Sequence, residues 1–137
     1  MNYWLVKSEP ATWSWDAQVK AKTTHWDGVR NYMAANFMKA MKVGDLAFFY
    51  HSNEGKEIVG VVKISKEFYL DPKDETGKFG MVDVTAVEKL PTPVTLVQCK
   101  SDPKLSNMVL VKNSRLSVQP VTPEEWKYIA TLGGLKL

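Results

Sequence analysis

Apolar positions along the chain follow two periods. Tyr3 to Lys7, Asp45 to Ser52 and Glu57 to Phe68 gather Val, Ile, Phe and Tyr in the short runs that predict half-buried strands. The turn Asn53-Glu54-Gly55-Lys56 joins the last two as a hairpin. Met81 to Val87 alternates, with Val82 and Val84 on one face and Asp83 and Thr85 on the other, and predicts a further strand. Leu116 to Val121 predicts the last one. The helical period is clearest over Asn31 to Lys42, where Met33, Phe37 and Met41 recur every four residues between an Asn31 N-cap and a Gly44 stop. Ser8-Glu9-Pro10 ends the first strand, and Thr12 or Ser14 then caps a short helix running to about Lys20. Thr95 to Ser101 reads as one short helical turn. Thr122-Pro123-Glu124-Glu125 is a capping box that opens a helix placing Trp126, Ile129 and Ala130 toward the core until Gly133.

Leu70 to Gly80, rich in Asp, Lys, Gly and Pro, reads as a loop between strands, and Pro91-Thr92-Pro93 as a break in the chain. There is no internal repeat and no low-complexity segment. The central strands follow one another through short turns. The fold class expected is therefore α+β: a curled, mostly antiparallel sheet or open barrel flanked by short helices, as a single domain over residues 1–137.

Composition narrows the partners. A net charge of +3 is mild for a protein that grips nucleic acid by charge alone, and only Arg30 and Arg115 of the 18 basic residues are arginine. If nucleic acid binds, a pocket must supply much of the selectivity. With Cys99 as its one cysteine, the chain has no intrachain disulfide and no thiolate cluster for zinc. The absence of an apolar run long enough to span a bilayer, or of a signal-peptide pattern at the start, makes a reducing cytoplasm the expected compartment. No heptad or long apolar stripe demands a dimer, so a monomer is expected.

Enzyme signatures are sparse. His25 and His51 are the only histidines, and no H-E-x-x-H, cysteine pair or acidic cluster accompanies them, so neither a metal nor any other cofactor is expected. There is no G-x-S-x-G elbow and no phosphate-cradling glycine loop. Cys99 in Leu96-Val97-Gln98-Cys99 reads as a small buried hydrophobe. An Asp27–His51 dyad stays as the enzyme alternative, a small-ligand hydrolase. The informative feature is aromatic: Trp13, Trp15 and Trp26 lie early in the chain, and Trp26 sits in the polar segment Thr23 to Gly28, read as a loop. A loop tryptophan beside hydrogen-bonding groups suits base stacking, and it equally suits a lid packed on the core. Tyr50-His51-Ser52-Asn53 offers polar groups for the edge of a base, or ordinary turn chemistry. Lys7-Ser8 places a cation and a hydroxyl at a strand end, or simply a solvated strand terminus, and Arg30-Asn31 opens a helix where a phosphate is attracted, or serves as a cap beside a surface salt bridge.

Together these segments resemble the EVE domain family. Tyr3-Trp4-Leu5-Val6-Lys7-Ser8-Glu9-Pro10 is similar to its opening. Trp26-Asp27-Gly28-Val29-Arg30-Asn31-Tyr32 is similar to its second motif, and Gly44-Asp45 with Phe49-Tyr50-His51-Ser52-Asn53 to its third. Arg115 to Val121 with Glu125-Trp126 is similar to its C-terminal motif. The resemblance covers Met1 to about Leu135. It implies a PUA-like fold, kinship with YTH and ASCH domains, and a reader of a modified base, either a modified cytosine in DNA or a methylated base in RNA. Alternatives it leaves open are a PUA-like RNA-binding module indifferent to modification and the hydrolase above. Carried over from the resemblance, the base pocket comprises Trp26, Lys7, Ser8, Asn31, Tyr32, Tyr50, His51, Ser52 and Asn53, with Arg30 on a phosphate. Trp26→Ala is then expected to weaken binding without unfolding the chain. Ala35 stands where relatives often carry arginine, and the Leu70 to Gly80 loop is shorter than in many of them, which predicts a shallower pocket.

Overall fold

The fold is seen in a computed structural model that describes residues 1–113 and 115–135. The elements are β1 (Tyr3–Ser8), α1 (Trp15–Ala21), β2 (Thr23–Trp26), α2 (Tyr32–Ala40), β3 (Leu46–His51), β4 (Glu57–Leu70), β5 (Gly80–Thr95), α3 (Leu96–Ser101), α4 (Val109–Lys112), β6 (Val118–Val121) and α5 (Pro123–Leu132). A 3-10 turn, Pro103–Leu105, precedes α4. The six strands form one unclosed sheet in the order β2-β5-β4-β3-β1-β6. Among the described residues only the β1–β3 pair is parallel. The class is the mixed α+β arrangement that the apolar pattern predicts.

Period-two alternation sends β1 and β3 side chains to two cores. Trp4, Val6, Ala47 and Phe49 face one side with Met38 and Trp26. Leu5, Phe48 and Tyr50 face the other, where Trp126 stacks on Phe48 with ring centroids 3.8 Å apart. The helices start where the caps predict. Ser14 Oγ accepts from Ala17 N and Asn31 Oδ1 from Ala34 N, and Thr122 with Glu125 closes a capping box. Gly60 lets α1 sit close: a Cβ there would lie 2.5 Å from the Trp15 ring.

Two expectations are corrected. Pro91-Thr92-Pro93 does not break the chain, for β5 runs through it. Between the pairs Gly60–Lys89 and Ile58–Val94 the register shifts, so the prolines occupy a bulge where no ladder N–H is required. The segment holding Trp26 is a strand, not a loop. β2 pairs antiparallel with β5 over Thr23–Thr85 to Trp26–Val82. As an outer strand it is paired on one side only, so its polar sequence carries no strand signature. The sequence reading also left out the short α4 helix and the turn before it.

The sheet curls. Laid flat, β1 and β2 would stand roughly 19 Å apart, four strand spacings of about 4.8 Å. Instead Trp26 of β2 meets Phe49 of β3 edge to face at 5.5 Å, and Trp26 and Ser8 line one cleft.

Candidate nucleic-acid interface

Three segments converge on a cleft of about 420 Å³: the end of β1 (Lys7, Ser8), the turn after it (Glu9, Thr12, Trp13) and the end of β2 (Thr24, His25, Trp26, Asp27). The turn forms because the Thr12 and Trp13 amides both donate to the Glu9 carbonyl, folding Trp13 back over the strand end. Ser8 Oγ donates to the Trp13 carbonyl, and Trp13 Nε1 donates to Gln18 Oε1 at 2.9 Å. Gln18 is fully buried and is itself fixed through Nε2 to the Lys22 carbonyl. Trp13 is therefore a held ring, not a loose one. The sequence reading named it among the early tryptophans without assigning it to the site. The signal that finds it is the four-residue return from Glu9 to Trp13.

Trp26 is 8% exposed and packs in the core against Phe49 while also lining the cleft. It lines the cleft with one side and faces the core with the other, so its removal is expected to cost stability as well as binding. The bulk of its indole fills the interior.

Of the other residues expected in the pocket, Lys7 and Ser8 line the cleft. Half-burial lowers the Lys7 ammonium below its ordinary pKa, and its Nζ lies 5.6 Å from the Tyr50 ring centre. Tyr50 itself faces the second core beside Ile58 and Cys99, where burial pushes its hydroxyl up to about 12. Alternation along β3 turns it into this core, and it is not among the residues that line the cleft. His51 Nε2 accepts the Trp15 amide at 3.0 Å at the start of α1. Burial lowers its pKa, against the opposing pull of Glu57 and Asp16. Ser52 N donates to the Ser8 carbonyl, and exposed Asn53 sits in the hairpin turn at φ +64°. These residues brace the strand end and do not line the cleft. Asn31 is spent as the α2 cap, and Tyr32, 62% exposed, leans on Phe79 at 5.0 Å.

Arg30 is exposed on one side and engaged by a buried carboxylate of the protein itself. Its guanidinium donates twice to Asp71 Oδ2 at 3.2 Å, with Arg30 40% and Asp71 1% exposed in their side chains. Asp71 Oδ2 also accepts the Gly28 amide, and Oδ1 accepts the Lys73 amide. The Lys73 backbone bond leads the effects that hold Asp71 below the usual carboxylate range. Lys73 in turn reaches Asp27 at 3.2 Å. No residue of the Leu70 to Gly80 loop lines the cleft. The loop instead braces the linker between β2 and α2.

The Asp27–His51 dyad is not assembled. Asp27 pairs with Lys73, while the carboxylates acting on His51 are Glu57 and Asp16. Among the described residues no group of three His, Cys, Asp or Glu is placed to hold a metal, and no helix is long and apolar enough to cross a membrane.

The fold and cleft define a small α+β module with an aromatic-floored, polar-rimmed recess at the end of a curled sheet. The chain belongs to the EVE domain family, whose model matches residues 2–132. Human thymocyte nuclear protein 1 is 39% identical, with 96% of this chain and 73% of that protein aligned. The NMR structure of a Rhodopseudomonas palustris protein is 57% identical at a TM-score of 0.93, covering 98% of this chain and 94% of that one. The crystal structure of the human THYN1 protein in complex with 5-methylcytosine-containing DNA is 38% identical at a TM-score of 0.88, covering all of both chains. A Zymomonas mobilis ASCH protein, 11% identical at a TM-score of 0.58, shares the fold alone.

Proposed function

We propose that this protein is a nucleic-acid-binding module that reads a modified base, a 5-methylcytosine in DNA being the target best supported. The observation that carries it is the cleft in which Trp13 and Trp26 lie with the polar ends of β1 and β2. The family relative crystallised on 5-methylcytosine-containing DNA supports that target. The reading is of a binding protein and not an enzyme, acting as a monomer in the cytoplasm without a metal.

Energetics shape what it binds. Stacking a base on an aromatic ring contributes roughly 1–3 kcal/mol. Extracting a base from a duplex costs a few kcal/mol. Single strands and weakened pairs are therefore better ligands than intact duplex. Burial of one methyl contributes about 0.8 kcal/mol, a preference of about four-fold over plain cytosine.

The test is a tryptophan-fluorescence titration with matched single-stranded oligonucleotides carrying cytosine or 5-methylcytosine at one position, repeated over several salt concentrations. Saturable quenching that is tighter for the methylated strand, with a shallow salt dependence, is expected. Equal, weak binding to both that fades steeply with salt would leave only charge-driven contact and overturn the reading.

A further inference from the structure

The outer strand of the sheet has main-chain groups to spare, and its register says which. Thr23 stands opposite Thr85 and Trp26 opposite Val82. One step earlier, the Ala86 amide donates to the Lys22 carbonyl at 2.8 Å. Hydrogen-bonded and non-hydrogen-bonded pairs alternate along an antiparallel ladder. Lys22, Thr24 and Trp26 therefore turn their amides and carbonyls toward β5. His25 turns its N–H and C=O the opposite way. The Asp27 N–H, which shares a planar peptide with the Trp26 carbonyl, also points away from β5. β2 ends the sheet, so no strand lies beyond it. Among the described residues, these His25 and Asp27 groups have no protein partner.

The residues that carry them, His25 and Asp27, line the cleft together with Trp26. The Asp27 carboxylate stands at the end of this edge, its side chain 31% exposed. Lys73 engages its Oδ2, and Oδ1 has no partner among the described residues. An ionised carboxylate only accepts hydrogen bonds. A base entering beside Trp26 thus meets a main-chain donor, a main-chain acceptor and an acceptor-only side chain.

We infer that the free edge of β2, ending in the Asp27 carboxylate, selects a pyrimidine carrying an exocyclic amine against one carrying a carbonyl at the same position. This rests on the base-reading function proposed above and names what the cleft reads. The chemistry is a match of donors and acceptors. 5-Methylcytosine presents an amino donor next to a ring acceptor, which the carboxylate and the main-chain N–H satisfy. Thymine carries the same methyl but presents a carbonyl oxygen and a ring N–H, so the carboxylate faces an acceptor. An acceptor that the bound base covers and leaves unmatched costs enough to give a preference of about ten-fold or more. The methyl is common to both bases, so stacking and apolar burial cancel in the comparison.

The experiment compares two single strands identical except for 5-methylcytosine or thymine at one position, against wild type, Asp27→Asn and His25→Pro. The Asn amide presents either a donor or an acceptor. Loss of Asp27 removes only a half-exposed ion pair with Lys73, so Asp27→Asn is expected to keep its melting temperature. Proline at His25 deletes an N–H that makes no sheet bond, a position where outer strands tolerate it. Wild type is expected to favour 5-methylcytosine by about ten-fold or more, with that preference collapsing in Asp27→Asn while the salt slope stays fixed. An amide-exchange measurement backs the proline variant: the His25 N–H is expected to exchange fast in the free protein and slowly in the complex. Equal affinity for the two strands in wild type, with binding intact, overturns the inference and leaves base reading standing. Failure of wild type to bind any strand takes down both.

Discussion

Trp26 shows how one residue serves two demands. Its ring closes the core against Phe49 and presents a surface to the cleft, and it is 8% exposed. Trp26→Ala should therefore cost about 3–5 kcal/mol of stability, as large-to-small core changes do, whereas Trp26→Phe keeps most of the filling. Urea denaturation of the two variants checks this, with a small loss in the Ala variant as the contrary result. The sequence identified the residue and misjudged its setting, because a four-residue polar outer strand looks like a loop. His51 makes a second prediction. Its neutral imidazole accepts the Trp15 amide, and its pKa is lowered by burial from 6.5. The unfolded chain then binds a proton that the folded protein resists, so stability falls as pH drops below about 6.5 and levels off beneath the folded pKa. His51→Gln, which keeps an acceptor without titrating, should flatten that segment of a melting-temperature-against-pH curve. An unchanged slope would remove His51 as its source.

At the scale of elements, the linker between β2 and α2 is the part that the loop Leu70 to Gly80 holds. Asp71 is buried and ties Gly28, Arg30 and the Lys73 backbone to one carboxylate. Asp71→Ala strands these donors and should cost about 1–3 kcal/mol. It should also loosen the end of β2, so the melting temperature and oligonucleotide affinity are expected to fall together. Retained affinity would show that the linker sets stability alone. Helix starts at Ser14, Asn31 and Thr122 were legible, because capping is local chemistry. For Arg30 a salt bridge was legible as one of two readings, but its partner was not, since Asp71 lies 41 residues away and an arginine at a helix start serves an anion of either origin. Nor was the passage of β5 through Pro91 and Pro93, which depends on a bulge against β4 that only pairing reveals.

For the whole molecule, curling of an unclosed sheet is what forms the cleft. It carries β2, at one border, round to the end of β1, four places along. The apolar periods gave the α+β class and the hairpin order. The family resemblance brought Trp26, Lys7 and Ser8 together, as the cleft does. Alternation along β3 turns Tyr50 into the second core, and the turn at Glu9 brings Trp13 to the cleft. Where this recess takes the base, the five tryptophans provide a built-in map of it. The most direct measurement follows their five indole N–H resonances by NMR while a single strand carrying 5-methylcytosine is added. The signals of Trp13 and Trp26 are expected to move together and saturate, with those of Trp4 and Trp126 fixed in the two cores. Saturable binding that leaves Trp13 and Trp26 unmoved would place the base elsewhere and contradict the account.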